Sequence, residues 1–381
     1  MDHINPPSSG RVMIRDAAYD ASLERVVAAI LDEFPLPWQG KKTLVKPNIL
    51  APFAPEEGVT THPALVRAVV RQLRERGAEV MVGDSPGLSG YGDSDHAARK
   101  SGIIDAAEGC YINLGRKAVK CNIASRFFSN TMISGDVLES DYIVNLPKFK
   151  THGLTVLTGA LKNTFGYVLG GNKMKIHSAA GSPRKFAEAL LDIYQLRPPQ
   201  LNIMDAVVAM EGNGPSKGAL RTIGKIIASD NAVSLDAVMV HLIGRPIKAI
   251  PLVDLAGQRG LGENDVSKIK IMGNCEPIKD FKLPSTFIPG LTGLLLNRFL
   301  SKWVNCVPEV IPELCRGCEV CVDHCPVQAM KMEGGHPQAD LDKCINCYCC
   351  QEMCPEGAIK LTGRAFNWLR RAYNPQFFQK K

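Results

Sequence analysis

The sequence predicts an α/β fold, a mostly parallel sheet with helices on both faces, followed by a small α+β unit dense in cysteine. Three observations carry this reading. Short apolar runs alternate with helical patterns from about residue 10 to residue 280. Of the 13 cysteines, nine crowd between Cys315 and Cys354. The length of 381 residues exceeds a domain of roughly 150 residues, so two or three domains are expected.

The strand candidates, in order, are Arg11–Ile14, Thr43–Lys46, Glu79–Gly83, Asp141–Leu146, Leu201–Met204, Lys225–Ser229 and Ile269–Met272. Helical spacing runs from Leu23 to Phe34 after Ser22. A second helix runs from Pro63 to Arg76, with Thr61 as its cap and Gly77 as its stop. A third runs from Ala232 to Ile243, after Asp230 and before Gly244. Strand–helix–strand repetition argues for a mostly parallel sheet covered on both faces.

Several strand candidates end in polar clusters. Val45 leads into Lys46, Pro47 and Asn48, and Val82 into Asp84 and Ser85. Val144 leads into Asn145, Lys148, Lys150, Thr151 and His152, and Met204 into Asp205. Open α/β sheets bind ligands beyond the carboxyl ends of their strands. Taken singly, each cluster also reads as the caps and turns that strand ends need.

From Pro284 to Glu313 apolar residues from Phe287 to Trp303 recur at helical spacing between prolines. The domain plan is therefore an α/β domain over 1–280, a helical connector over 281–311, the cysteine unit over 312–361 and a basic, aromatic tail over 362–381. With Arg298 and Lys302, the connector reads either as a packed helix or as a peripheral membrane contact.

The formal charge is +7, without a block of like charges, so no nucleic-acid partner is expected. The first residues show no charged start followed by an apolar stretch, and no transmembrane run of about 18 apolar residues occurs. A secreted disulfide scaffold is the rival that cysteine density alone leaves open. The N-terminal pattern argues instead for a cytoplasmic protein, whose cysteines stay reduced and bind metal.

Cys315, Cys318, Cys321 and Cys325 form C-x2-C-x2-C-x3-C followed by Pro326. Cys344, Cys347, Cys350 and Cys354 repeat it before Pro355. This is the spacing of bacterial two-cluster ferredoxins, in which the fourth cysteine ligates the other cluster. Two [4Fe–4S] clusters are expected. Cys315, Cys318, Cys321 and Cys354 hold one, and Cys344, Cys347, Cys350 and Cys325 the other. At about −2 per oxidised cluster, the net charge falls to roughly +3. Cys349 misses the repeat by one position and reads as a free thiol beside the cluster, with a ligand swap as the alternative. Val327-Gln328-Ala329 and Glu356-Gly357-Ala358 after the two Cys-Pro pairs complete a resemblance to the ferredoxin-like module over about Pro312 to Leu361.

Upstream, VKPN at Val45–Asn48, THP at Thr61–Pro63 and LPKFKTHGLTVLTGALKNTFG at Leu146–Gly166 stand out. MDAVVAMEGNGPSKG at Met204–Gly218 and IIASDNAVSLD at Ile226–Asp236 follow. Together they resemble domain-of-unknown-function family 362, a group of iron–sulfur proteins without a settled activity, over roughly residues 10 to 275. The order of elements is also similar to the N-terminal part of the nickel-dependent lactate racemase family. Lys148, His152, Lys162 and His177 occur in comparable order, but the motifs depart. This implies common ancestry rather than a common cofactor.

Seven basic residues, Lys148, Lys150, His152, Lys162, Lys173, Lys175 and His177, fall within 30 positions. With Lys46 they predict an electropositive pocket for an anionic small molecule. Lys148, His152, Lys162 and Asp205 are the catalytic candidates. Lys46, Asn48, Lys150, Asn163 and His177 are the substrate-binding candidates. Each lysine singly also reads as a solvated surface residue, and each histidine as a core residue with satisfied hydrogen bonds. Three functions stay open: an oxidoreductase fed by the clusters, an electron carrier docking a redox partner protein, and a non-redox enzyme with structural clusters.

Overall fold

The computed structural model describes residues 10–86, 94–287 and 306–363. The helical pattern from Leu291 to Trp303 and the tail from Arg364 onward lie outside the described residues.

The α/β region runs β1 (Arg11–Asp16), α1 (Leu23–Glu33), β2 (Lys42–Pro47), α2 (Pro63–Glu75), β3 (Glu79–Val82), α3 (Ser94–Lys100), α4 (Ile103–Ala106), β4 (Ala118–Asn122), β5 (Asn130–Ser134) and α5 (Gly135–Glu139). It continues through β6 (Tyr142–Leu146), β7 (Lys148–His152), β8 (Val156–Thr158), α6 (Ala160–Asn163), α7 (Asn172–Ala180) and α8 (Pro183–Tyr194). Then come β9 (Leu201–Glu211), β10 (Ala219–Ser229), α9 (Ala232–Leu242), α10 (Pro251–Gln258) and β11 (Lys270–Met272). A nine-stranded sheet has the order β11-β1-β10-β9-β6-β2-β3, with β7 pairing β9 and β8 pairing β7. The pairs β2–β3, β2–β6, β6–β9, β7–β9 and β1–β11 are parallel. The sheet is mostly parallel, as its apolar runs predict.

Successive strand residues point to opposite faces, and the core divides accordingly. Met13, Val45, Val144 and Ile226 face one layer with Leu23, Val27 and Ile30 of α1 and Leu65, Val69 and Leu73 of α2. Val12, Leu44, Ile143 and Ile227 face the other, with Phe186 and Leu190 of α8, Val233 and Val240 of α9, and Leu252 of α10. Burying both faces offsets the chain-ordering cost without disulfides.

Three local readings need revision. Lys148–His152, read as a polar cluster beyond a strand, is itself a strand, buried along its whole length. The cap of α2 is His62, whose Nδ1 accepts from Ala64 N at 3.2 Å. The Thr61 hydroxyl instead donates to the Leu146 carbonyl at 2.6 Å. Strands β9 and β10 run eleven residues each and pair antiparallel, well beyond the short runs that periodicity marks.

The C-terminal unit holds β12 (Cys306–Val310), β13 (Met330–Glu333), β14 (His336–Ala339) and β15 (Ile359–Gly363). β13 and β14 form a hairpin, while β12 pairs antiparallel with β15. β12 falls inside the segment read as connector, so that segment ends in a strand of the small unit. Among the described residues, no helix is long and apolar enough to cross a membrane.

Candidate functional site

Each cysteine loop curls through left-handed backbone. Gly317 and Asn346, Glu319 and Tyr348, and Gln328 and Gly357 all have positive φ. Each pair is separated by 29 positions, the offset between the two cysteine runs. Holding Glu319 or Tyr348 there costs about 1 kcal/mol, so the repeat lies in the loop shape rather than in side-chain identity. The backbone amide of Ala329 donates to Cys325 Sγ at 3.1 Å, and that of Ala358 to Cys354 Sγ at 3.2 Å. Amides aimed at sulfur stabilise thiolate charge.

The loops enclose two hollows. Cys315, Cys318, Cys321 and Cys354 line one, walled by Val320, Ala358 and Ile359. Cys325, Cys344, Cys347 and Cys350 line the other, walled by Pro308, Val327, Met330 and Ile345. Among the described residues no three His, Cys, Asp or Glu side chains form a single-ion site. Four cysteine sulfurs around an apolar hollow fit a [4Fe–4S] cluster, which would take one thiolate on each iron.

A larger cavity lies where the small unit meets the sheet. One wall is the short helix Cys349–Met353, which supplies Cys349, Glu352 and Met353, while its Cys350 faces the second hollow. The other wall includes Asn48, Thr158, Lys162, Phe165, Lys173 and His177. Tyr348 packs into the core of the α/β region, and Lys217 Nζ donates to the Pro355 carbonyl at 3.0 Å.

Lys162 and Asn163 ride on α6, which Asp236 of α9 holds in place. Asp236 Oδ1 accepts from Ala160 N at 2.7 Å and Oδ2 from Leu161 N at 3.0 Å. Glycine at 159 makes room, since a Cβ there would lie 2.2 Å from Asp236 Oδ1. Burial pushes the Asp236 carboxyl up to about 7, against the two amides. Asn163 Nδ2 donates to Asn145 Oδ1 at 2.7 Å, and Asn48 Nδ2 donates to Asn163 Oδ1 at 3.1 Å.

The basic residues divide by partner. Lys46 Nζ pairs with Asp84 Oδ1 at 2.7 Å, with both side chains buried. Lys150 Nζ donates to the Val59 carbonyl at 2.7 Å. Lys173 Nζ donates to the Ser85 carbonyl at 2.6 Å and the Pro86 carbonyl at 3.0 Å, and burial lowers its pKa to about 7. Lys162 has no hydrogen-bond or ion-pair partner among the described residues. Burial lowers its pKa, and the charges of Glu352 and Cys349 oppose that shift. His177 stacks on Phe186 at 4.0 Å, and burial drops it to about 3, so it is neutral. His152 Nδ1 accepts from Leu154 N at 3.0 Å, and its Nε2 lies 3.2 Å from Glu352 Oε1. Burial raises Glu352 to about 7.

Lys148 and Asp205 sit elsewhere and do not line this cavity. Lys148 Nζ contacts Asp205 Oδ2 at 2.8 Å and Tyr19 Oη at 2.9 Å, and Tyr19 Oη donates to Asp205 Oδ1 at 2.7 Å. The Tyr19 and His62 rings stack over this pair at 3.6 Å. The cavity thus gathers Asn48, Lys162, Asn163 and His177 from the sequence candidates. Sequence reasoning missed Thr158, Phe165, Glu352 and Met353. Nothing in the local pattern marks Glu352, because its neighbours are assembled by docking of the cysteine unit onto the sheet.

Residues 43–241 match the model for the domain of unknown function DUF362, and residues 308–355 match the 4Fe-4S dicluster domain. A thylakoid-associated protein of Synechocystis sp. is 30% identical over 283 residues, covering 71% of this chain and 85% of that protein. Two solved structures show weaker likeness. A Thermotoga maritima protein gives a TM-score of 0.36 at 15% identity over 49% of this chain and 50% of its own. The lactate racemase apoprotein of Thermoanaerobacterium thermosaccharolyticum gives 0.41 at 12% identity over 61% of this chain and 57% of its own. The chain is an iron–sulfur protein that belongs to the DUF362 family.

Proposed function

We propose that the chain carries two [4Fe–4S] clusters, held by the crossed cysteine sets, and uses their electrons on an anionic small molecule bound in the basic cavity. The observation that carries this is the shared helix Cys349–Met353, with Cys350 on the second hollow and Cys349, Glu352 and Met353 on the cavity. Bound clusters would supply single electrons at low potential. The chain's own residues do the rest. Lys162 provides positive charge for the ligand, Phe165 and Met353 exclude water, and Asp236 and Gly159 fix the helix that presents Lys162.

Electrons would enter from a redox partner protein at the first cysteine loop, where Cys318 is exposed. The test uses the anaerobically purified full chain, with its clusters reduced by dithionite. The small-molecule fraction of a cell extract should reoxidise the wild type, while Lys162→Met keeps its cluster absorbance and loses that reoxidation. Equal rates in both proteins contradict the proposal. The adaptor reading gains if only a protein fraction drains the electrons.

The cytoplasmic location and a peripheral membrane contact are part of this proposal, and the thylakoid-associated relative supports the membrane contact alone. Flotation with anionic lipid vesicles checks the contact, and a chain left wholly in the unbound fraction removes it.

A further inference from the structure

We infer that the cavity takes a monocarboxylate that also carries an O–H or N–H donor, with Lys162 at the carboxylate and Asn48 Oδ1 at the donor; this rests on the cavity being the substrate site. Asn48, Thr158 and His177 all line it, and each holds a buried polar atom without a hydrogen-bond partner: Oδ1, Oγ1 and Nδ1. Buried polar atoms are nearly always partnered. Three such atoms around one cavity mark where a ligand's polar groups fit.

The polarity of Asn48 is fixed from a distance. Asn145 Nδ2 donates to the Ala160 carbonyl at 3.1 Å and to Asn202 Oδ1 at 2.9 Å. A carbonyl only accepts, so Asn145 must turn its amide nitrogen that way and leave Oδ1 to accept from Asn163. Asn163 Oδ1 then accepts from Asn48 Nδ2. The chain of amides ends with Asn48 Oδ1 as a bare acceptor, which only a ligand donor satisfies.

Charge counting sets the other end. Lys46 is matched by Asp84, and Lys173 by backbone carbonyls at Ser85 and Pro86. Lys162 remains the lining cation without a partner among the described residues. The Lys162 ammonium and the Thr158 hydroxyl suit a single negative charge, whereas a phosphate dianion calls for more donors than these and would meet the Glu352 carboxyl on the same lining. Ile49, Leu50, Phe165 and Met353 between them favour an apolar body.

The test is calorimetric titration of the anaerobically purified holoprotein with 4-hydroxybenzoate, benzoate, phenol and phenyl phosphate. 4-Hydroxybenzoate should bind about fivefold or more tighter than benzoate, and Asn48→Ala should erase that preference. Lys162→Met, with Lys162→Gln as the second variant, should weaken both carboxylates about tenfold or more and leave phenol unchanged. Phenyl phosphate binding as tightly as the carboxylates, no carboxylate binding at millimolar concentration, or a preference surviving in Asn48→Ala overturns the inference. Selective carboxylate binding by a protein that no small molecule can reoxidise sinks the redox reading and leaves this inference standing. Lys162-dependent reoxidation without carboxylate selectivity does the reverse.

Discussion

At the scale of the residue, among the described residues, partners separate Lys46, Lys148, Lys150 and Lys173 from the cavity lysine Lys162, which has no hydrogen-bond or ion-pair partner. Lys148 and Asp205 are 1% and 0% exposed and face each other at 2.8 Å. Lys148→Met strands a buried carboxylate and should cost roughly 3–5 kcal/mol. Lys148→Met with Asp205→Leu should recover part of that loss. Urea denaturation of both variants checks this, and an unaltered midpoint in Lys148→Met contradicts a structural role. His177 supplies a pH test. Burial lowers its pKa from 6.5 to about 3, so the folded state binds its proton less readily than the unfolded chain. The stability it contributes is present above the unfolded pKa and lost as pH falls toward about 3. Between about pH 6.5 and 5.5 the wild type should lose about 1 kcal/mol more than His177→Gln. Parallel pH slopes in urea titrations refute the assignment.

At the scale of the element, small residues let charged groups reach their places. A Cβ at Gly166 would lie 2.2 Å from Asp84 Oδ1 and 2.5 Å from Lys46 Nζ. Gly166→Ala should prise open that buried pair, and Gly159→Ala should push Asp236 off α6. Each should cost about 1–3 kcal/mol. Gly159→Ala should also weaken carboxylate binding, because Lys162 rides on the displaced helix; unchanged affinity would show that α6 does not position Lys162. Much of the element order was legible in the chain. The apolar runs at Thr43–Lys46 and Glu79–Gly83 mark β2 and β3, because buried parallel strands are written in continuous apolar residues. β7 was not legible. Its two lysines, threonine and histidine break the apolar signal, and their partners, Val59, Asp205 and Glu352, lie far away in sequence.

At the scale of the whole molecule, the cysteine spacing is a local code and the cavity is not. The eight cysteines announce their chemistry through a repeat of 29 residues that a reader of the sequence alone can find. The cavity wall joins residues from α6, α7 and the helix Cys349–Met353, which meet only once the small unit packs on the sheet. Asn48 was singled out by its place beyond a strand end, and Lys162 and His177 by the run of basic residues from Lys148 to His177. Thr158, Glu352 and Met353 became visible only in the assembled fold. The central claim is that two clusters, in crossed ligand sets, feed the cavity through that shared helix. Its most direct test is an anaerobic iron count with electron paramagnetic resonance of the reduced holoprotein, with and without 4-hydroxybenzoate. The account predicts about eight irons per chain, two interacting [4Fe–4S] signals, and a ligand-induced change in the signal lost on Cys350→Ser. About four irons per chain, or spectra unmoved by a ligand that calorimetry shows to be bound, would contradict it.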